Sequence, residues 1–193
     1  ETMKIPVNKH VFARIAYRDN HDGLITVARI KDHSISNFSP GIDSLYLVLE
    51  EVEKPGNLGA ILRTADAAGV DAVFVCDAQT DIYNPNAIRA SLGTVFSNKI
   101  VCCDSSQALD LLKKHHVRIF SAALQNSKEY YEADFRNPCA LVFGSEAKGL
   151  SNLWRDGSDE ILRIPMQGIA DSLNVSVSAA VFCFEAVRQK RNK

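Results

Sequence analysis

The chain has 193 residues, 46% of them hydrophobic, and a formal net charge of −1, enough for one well-buried domain plus a short appendage. No run of about 18 apolar residues occurs, which excludes a membrane-spanning helix. The near-zero charge excludes a global attraction to polyanions, so a nucleic-acid contact needs a local basic patch or a separate module.

Residues 1–20 mix polar and apolar types without a clean period and read as a leader or linker, with the main domain expected over 21–193. The first residues, Glu1-Thr-Met-Lys-Ile-Pro6, lack the apolar core of a secretory signal, so a cytoplasmic location is expected. Residues 24–30 alternate enough to predict a strand, and residues 34–43, with Pro40-Gly41, predict a loop. From Leu45 the pattern is regular. Apolar runs of strand length occupy 45–49, 72–76, 99–103, 118–122, 139–143 and 161–164, and helical stretches occupy 58–68, 86–92, 107–115 and 175–191. Strands without strict alternation, separated by helices, predict an α/β domain with a mainly parallel sheet covered on both faces.

In the first long helix, Leu58, Ile61, Leu62, Ala65 and Ala68 form a stripe facing the sheet. The last helix is apolar nearly all round, with Val175, Ala179, Phe182, Cys183 and Ala186 on one side and Val177, Val181 and Phe184 on another. One side then faces the sheet and the other a second subunit. His115-His116 is expected to end a helix, where positive charge suits the dipole. Basic clusters stand at Arg14/Arg18/Arg29/Lys31 and along the tail from Arg188 to Lys193, the latter reading as a solvated helix end. The five cysteines form no Cys-x-x-Cys pair and read as buried, reduced thiols. The histidines show no metal-ligand spacing, so no metal is expected.

Three segments share one form: an apolar strand, a polar corner and a helix. The first is Lys54-Pro-Gly-Asn57-Leu-Gly-Ala-Ile-Leu-Arg63-Thr64. Pro-Gly breaks the strand and Asn57 is placed to cap the helix. Arg63 lies about 9 Å further along the axis, but helical side chains lean toward the N-terminus. Its guanidinium can therefore swing back toward Asn57, where a helix end favours anions. That arrangement suits a phosphate or an incipient oxyanion; the alternative is a surface arginine beside an ordinary cap.

The second corner is Gly144-Ser-Glu146-Ala-Lys-Gly149-Leu-Ser151. Gly144 lets a ligand approach the backbone, and Glu146 can act as a helix-start anion or hold a cation such as Arg63. The segment matches neither a Gly-x-Gly-x-x-Gly fingerprint nor a P-loop, which disfavours dinucleotides and triphosphates. The third corner runs from Ile164-Pro-Met166 to Asp171-Ser172-Leu173-Asn174. One helix start needs one capping side chain, and this corner offers three, so it is expected to hold something besides its own helix. Three such corners predict one site built from loops at one edge of a sheet.

Together and in this order, the corners resemble the three motifs of the SpoU (TrmH-like) family of RNA ribose 2′-O-methyltransferases, in the SPOUT superfamily. The resemblance runs from about Leu45 to Arg188. It implies a parallel α/β sheet whose C-terminal segment threads a loop as a deep trefoil knot, outside the usual unknotted rule. It implies S-adenosylmethionine as methyl donor and S-adenosylhomocysteine as product, with Gly144, Ile164, Met166 and Leu173 holding the donor largely through backbone groups. Asn57, Arg63, Glu146, Ser172 and Asn174 match the family's polar catalytic set, and the substrate would be RNA, either rRNA or tRNA. Family members are homodimers with sites near the subunit interface, which agrees with a last helix apolar on two sides. Ala147 stands where many relatives have glycine. Many relatives also carry an N-terminal RNA-binding domain, and residues 1–20 then read as the remnant of a linker from it.

Two other readings compete. A catalytically silent RNA-binding protein of the same fold is opposed by the intact Asn57, Arg63, Glu146 and Asn174. A nucleotide-binding oxidoreductase is opposed by the missing glycine-rich fingerprint.

Overall fold

The computed structural model describes residues 3–17 and 22–192, and the chain divides into two units, Glu1–Asp32 and His33–Lys193. The first unit holds a short helix, α1 (Lys9–Ile15), capped by Asn8, whose side chain accepts the Val11 N–H at 2.9 Å. The strand expected over 24–30 is absent, and Leu24, Val27 and Ile30 are exposed. Alternation becomes a strand only where a neighbour supplies the ladder of hydrogen bonds, and no such partner is found here among the described residues. Arg18, His21 and Lys193 lie outside the described residues.

The second unit runs β1 (Leu45–Glu50), α2 (Pro55–Ala68), β2 (Ala72–Cys76), α3 (Pro85–Ala90), β3 (Ile100–Cys103), α4 (Ser105–Lys114) and β4 (Arg118–Ala122). It continues through β5 (Lys128–Glu129), β6 (Cys139–Phe143), α5 (Asn152–Gly157), β7 (Glu160–Arg163) and α6 (Val175–Arg191). Every expected strand from Leu45 onward is present within one or two residues of its expected ends. Short α5 and β5 went unforeseen, because six and two residues are too few to display a period.

The seven strands are parallel, in the order β3-β2-β1-β6-β4-β7-β5. All six residues of β1 are buried, as expected where helices cover both faces. Leu47 and Leu49 meet α2, α3 and α6, while Tyr46 and Val48 meet α4 and α5. Leu58, Ile61, Leu62 and Ala65 of α2 are fully buried against the first of these faces, and each of the larger three contributes about 1.5–3 kcal/mol relative to exposure. At Gly59 an added Cβ would sit 2.4 Å from the Ala87 carbonyl oxygen and 2.7 Å from Ala90 Cβ, so α2 and α3 approach too closely for any side chain there.

On α6, Phe182 is buried against Phe143 and Tyr130, with ring centroids 5.6 and 5.5 Å away, whereas Val177 and Phe184 are about half exposed. Its basic end is largely engaged within the unit: Arg188 pairs with Glu185 at 2.7 Å and Lys190 with Asp43 at 3.3 Å. Strand order reverses beside β1, whose neighbours are β2 on one side and β6 on the other. Loops leaving adjacent strands at such a point diverge and open a crevice at the C-terminal edge of the sheet.

Candidate functional site

A cavity of about 610 Å³ opens at that edge, within the usual range for small-molecule sites. Its wall is formed by the end of β4, the loops after β6 and β7, and the start of α6. Gly144, Ile164, Met166 and Leu173 line it, as do Glu146, Ser172 and Asn174. Asn57 and Arg63 do not.

Gly144 directly follows β6. A Cβ on it would lie 2.3 Å from both the carbon and the oxygen of the Gly149 carbonyl and 2.6 Å from the Leu150 nitrogen. The loop closes because Ser145 holds both ends of its turn: its hydroxyl accepts the Lys148 N–H at 3.1 Å and its carbonyl accepts the Gly149 N–H at 2.9 Å. Gly149 has φ +69°, a conformation that favours glycine.

The expectation that Asn57 caps α2 is corrected. The helix begins at Pro55, with Lys54 as N-cap and no side-chain cap bond. Proline at the first helical position has the required φ and lacks the N–H that would otherwise be orphaned, so the helix starts earlier than expected. Asn57 then falls in the first turn with its side chain free for other partners. Its amide nitrogen donates to Glu146 Oε1, and its amide oxygen accepts from Asn174 Nδ2 at 3.2 Å. Asn174 is itself the cap of α6, accepting the Ser176 N–H at 2.9 Å. One side chain thus ties the three corners together.

The other polar residues of the third corner pair with each other, the Ser172 hydroxyl donating to Asp171 at 2.9 Å. Arg63 is exposed on α2 and makes no hydrogen bond or ion pair with Asn57 or Glu146. The amide of Asn57 is engaged instead by Glu146 and Asn174.

Residues 44–184 match the SpoU rRNA Methylase family. The chain belongs to that family. It is 35% identical over 191 residues to the 23S rRNA (guanosine-2′-O-)-methyltransferase RlmB of Ralstonia nicotianae, covering 96% of this chain and 77% of that protein. Among solved structures, an RNA 2′-O ribose methyltransferase superposes with a TM-score of 0.83 at 43% identity, covering 95% of this chain and 70% of that one. An AdoMet-bound rRNA methyltransferase from Sinorhizobium meliloti superposes with a TM-score of 0.88 at 30% identity, covering 94% and 70%.

In this SpoU-family chain the cavity has walls that the three motifs did not reveal. Ala122, Leu124 and Gln125 close one side at the end of β4, and Arg155 and Arg163 add positive charge beside Lys54 of the first corner. The β4 wall was open to inference, because ligands in parallel sheets sit outside the carboxyl ends of strands and the run over 118–122 was legible. The loop after it, Ala123-Leu-Gln-Asn-Ser127, carries no glycine to mark it. Arg155 had no local signal at all, being placed by the short α5.

Proposed function

We propose that this protein transfers the methyl group of S-adenosylmethionine to the ribose 2′-hydroxyl of a nucleotide in ribosomal RNA. The observation that carries this reading is the meeting of three loop corners at one cavity, joined through the hydrogen bonds of Asn57 to Glu146 and Asn174. The cavity suits that donor. Its volume accommodates a nucleoside-sized ligand, Gly144 lines it where the 144–151 backbone packs too closely for a side chain, and Phe143, Leu162 and Ile164 give it apolar surface.

S-adenosylmethionine supplies a methyl group already activated by its sulfonium. Transfer forms the O2′–carbon bond as the carbon–sulfur bond breaks, which requires the three atoms in line and removal of the hydroxyl proton. Gly144, Ile164, Met166 and Leu173 hold the donor. Asn57, Glu146 and Asn174 form a polar edge whose mutual hydrogen bonds keep each side chain oriented before substrate arrives. Ser172 shapes the corner where donor and acceptor meet. A guanidinium is a charged hydrogen-bond donor with no acceptor, ill suited to take a proton. Arg63 therefore acts chiefly by stabilising the forming alkoxide. Its exposure outside the donor cavity supports a role toward RNA rather than toward the donor.

The protein works as a homodimer through the outer face of α6. Val177 and Phe184 on that helix, and Leu173 just before it, are 47%, 50% and 40% exposed, an apolar strip continuous with the cavity rim. The C-terminal trefoil knot belongs to the same reading, and a ribosomal RNA substrate implies a cytoplasmic enzyme. The test is methylation of ribosomal RNA by purified protein and labelled S-adenosylmethionine, with the modified ribose mapped in RNA from cells with and without the gene. A folded protein that gives no heat with S-adenosylhomocysteine would sink the donor assignment. Label appearing in tRNA alone would reassign the substrate.

A further inference from the structure

One buried carboxylate stands outside the residues assigned above. Glu50, the last residue of β1, is 5% exposed, and a carboxylate is costly to bury unless donors surround it. Its Oε2 accepts the Ser151 backbone N–H at 2.8 Å, and its Oε1 accepts the Ser105 hydroxyl at 3.4 Å. Ser105 accepts in turn from Nε1 of the fully buried Trp154 at 3.1 Å.

The Ser151 N–H and the Leu150 carbonyl belong to the same peptide group. That carbonyl accepts from Arg155 Nε at 3.1 Å. A single peptide is therefore held on its donor side by a buried carboxylate and on its acceptor side by a guanidinium, both through charge-assisted hydrogen bonds, the stronger kind. Glu51 adds a further tie. Its φ of +49° lies in a region that costs a non-glycine residue energy and persists only where the surroundings demand it. Its carboxylate meets Lys148 Nζ at 3.0 Å. Successive side chains of a strand point to opposite faces, so the left-handed turn lets β1 deliver two adjacent carboxylates to one loop.

The backbone of Gly149 and Leu150 occupies the space beside Gly144, and all three residues line the cavity. We propose that Glu50 is a positioning residue for donor binding: with Arg155 it clamps the Leu150–Ser151 peptide and so fixes the 144–151 wall before the donor arrives. The proposal rests on reading the cavity as the donor site.

The test compares wild type, Glu50→Gln, Glu50→Ala and Leu112→Ala, at a temperature where each variant used is folded. Leu112 is fully buried on the same face of the sheet but does not line the cavity, so its truncation reports stability loss alone. Calorimetry with S-adenosylhomocysteine should show about 10-fold weaker binding in Glu50→Ala, because ordering the loop is then charged to the binding step. Glu50→Gln keeps an acceptor for Ser151 and should bind more tightly than Glu50→Ala but more weakly than wild type. Leu112→Ala should stay within two-fold. In turnover, KM for the donor should rise in the Glu50 variants while KM for RNA holds. Backbone hydrogen exchange across 144–151 should quicken in Glu50→Gln and not in Leu112→Ala, which keeps the test decisive if Glu50→Ala does not fold. Wild-type affinity and exchange in Glu50→Gln, or equal weakening in Leu112→Ala, would overturn the clamp. Absence of binding in the wild type would instead overturn the donor reading.

Discussion

Replacing Gly144 by alanine tests the site at its tightest point. The new Cβ would stand 2.3 Å from the Gly149 carbonyl carbon and oxygen, against an ordinary contact of 3.4 Å, a shortfall of about 1.1 Å. The obstructing atoms are backbone, so no side-chain rotation relieves the clash, and either β6 or the 144–151 loop must move. Overpacking of this kind costs about 1–3 kcal/mol. At about 2–4 °C per kcal/mol for a chain of this size, the melting temperature should fall by about 2–12 °C. Displacing the cavity wall by about 1 Å should also cost on the order of 100-fold in transfer, the scale on which misplaced groups lose rate. Calorimetric melting reads the first effect, and transfer from labelled S-adenosylmethionine to RNA reads the second. Gly168→Ala is the control, since a Cβ there meets nothing within 4 Å. A Gly144→Ala protein with wild-type melting and wild-type transfer would refute the reasoning.

Arg63→Ala should leave S-adenosylhomocysteine binding within a few-fold of wild type and lower methyl transfer by about 100-fold or more, with Arg63→Lys recovering only part because the planar fork is lost. Loss of donor binding would move Arg63 into the cofactor pocket. Phe184→Glu, at a half-exposed position, should keep the fold and reduce the sedimentation mass to one chain. Phe182→Ala removes a buried ring and should cost about 3–5 kcal/mol whatever the assembly. A wild type sedimenting as one chain across a wide concentration range would remove the dimer. Brief alkylation near pH 7.5 should label Cys103 before Cys102. The Cys103 thiol is drawn down by its hydrogen bond with Cys76 at 3.9 Å, whereas burial raises Cys102. Cys139 and Cys183, pushed up to about 12 by burial, should stay unlabelled until the protein unfolds, as peptide mass spectrometry would show.

The sequence by itself determined the elements and their faces. The apolar runs from Leu45 onward became strands of one parallel sheet, and α6 has the limits its apolar pattern predicted. These features are legible because burial imprints a local period on the chain. The surplus of polar groups in the third corner likewise pointed to a ligand, and Asp171, Ser172 and Asn174 line the cavity. Tertiary structure alone decided which of those groups meet. Asn57 was read as a cap from its neighbours, yet its partners Glu146 and Asn174 lie 89 and 117 residues away. Arg63 was read as able to reach back to Asn57, yet the hydrogen bonds of Asn57 go to Glu146 and Asn174. The alternating residues 24–30 form no strand, since a ladder needs a partner that no local pattern supplies. Glu50 lies just past the apolar run over 45–49 and drew no reading; only the close approach of Ser105 and Ser151 reveals why a carboxylate is buried there. Side-chain types and spacings along the chain record what each segment must bury, whereas hydrogen-bond partners are set by where distant segments cross.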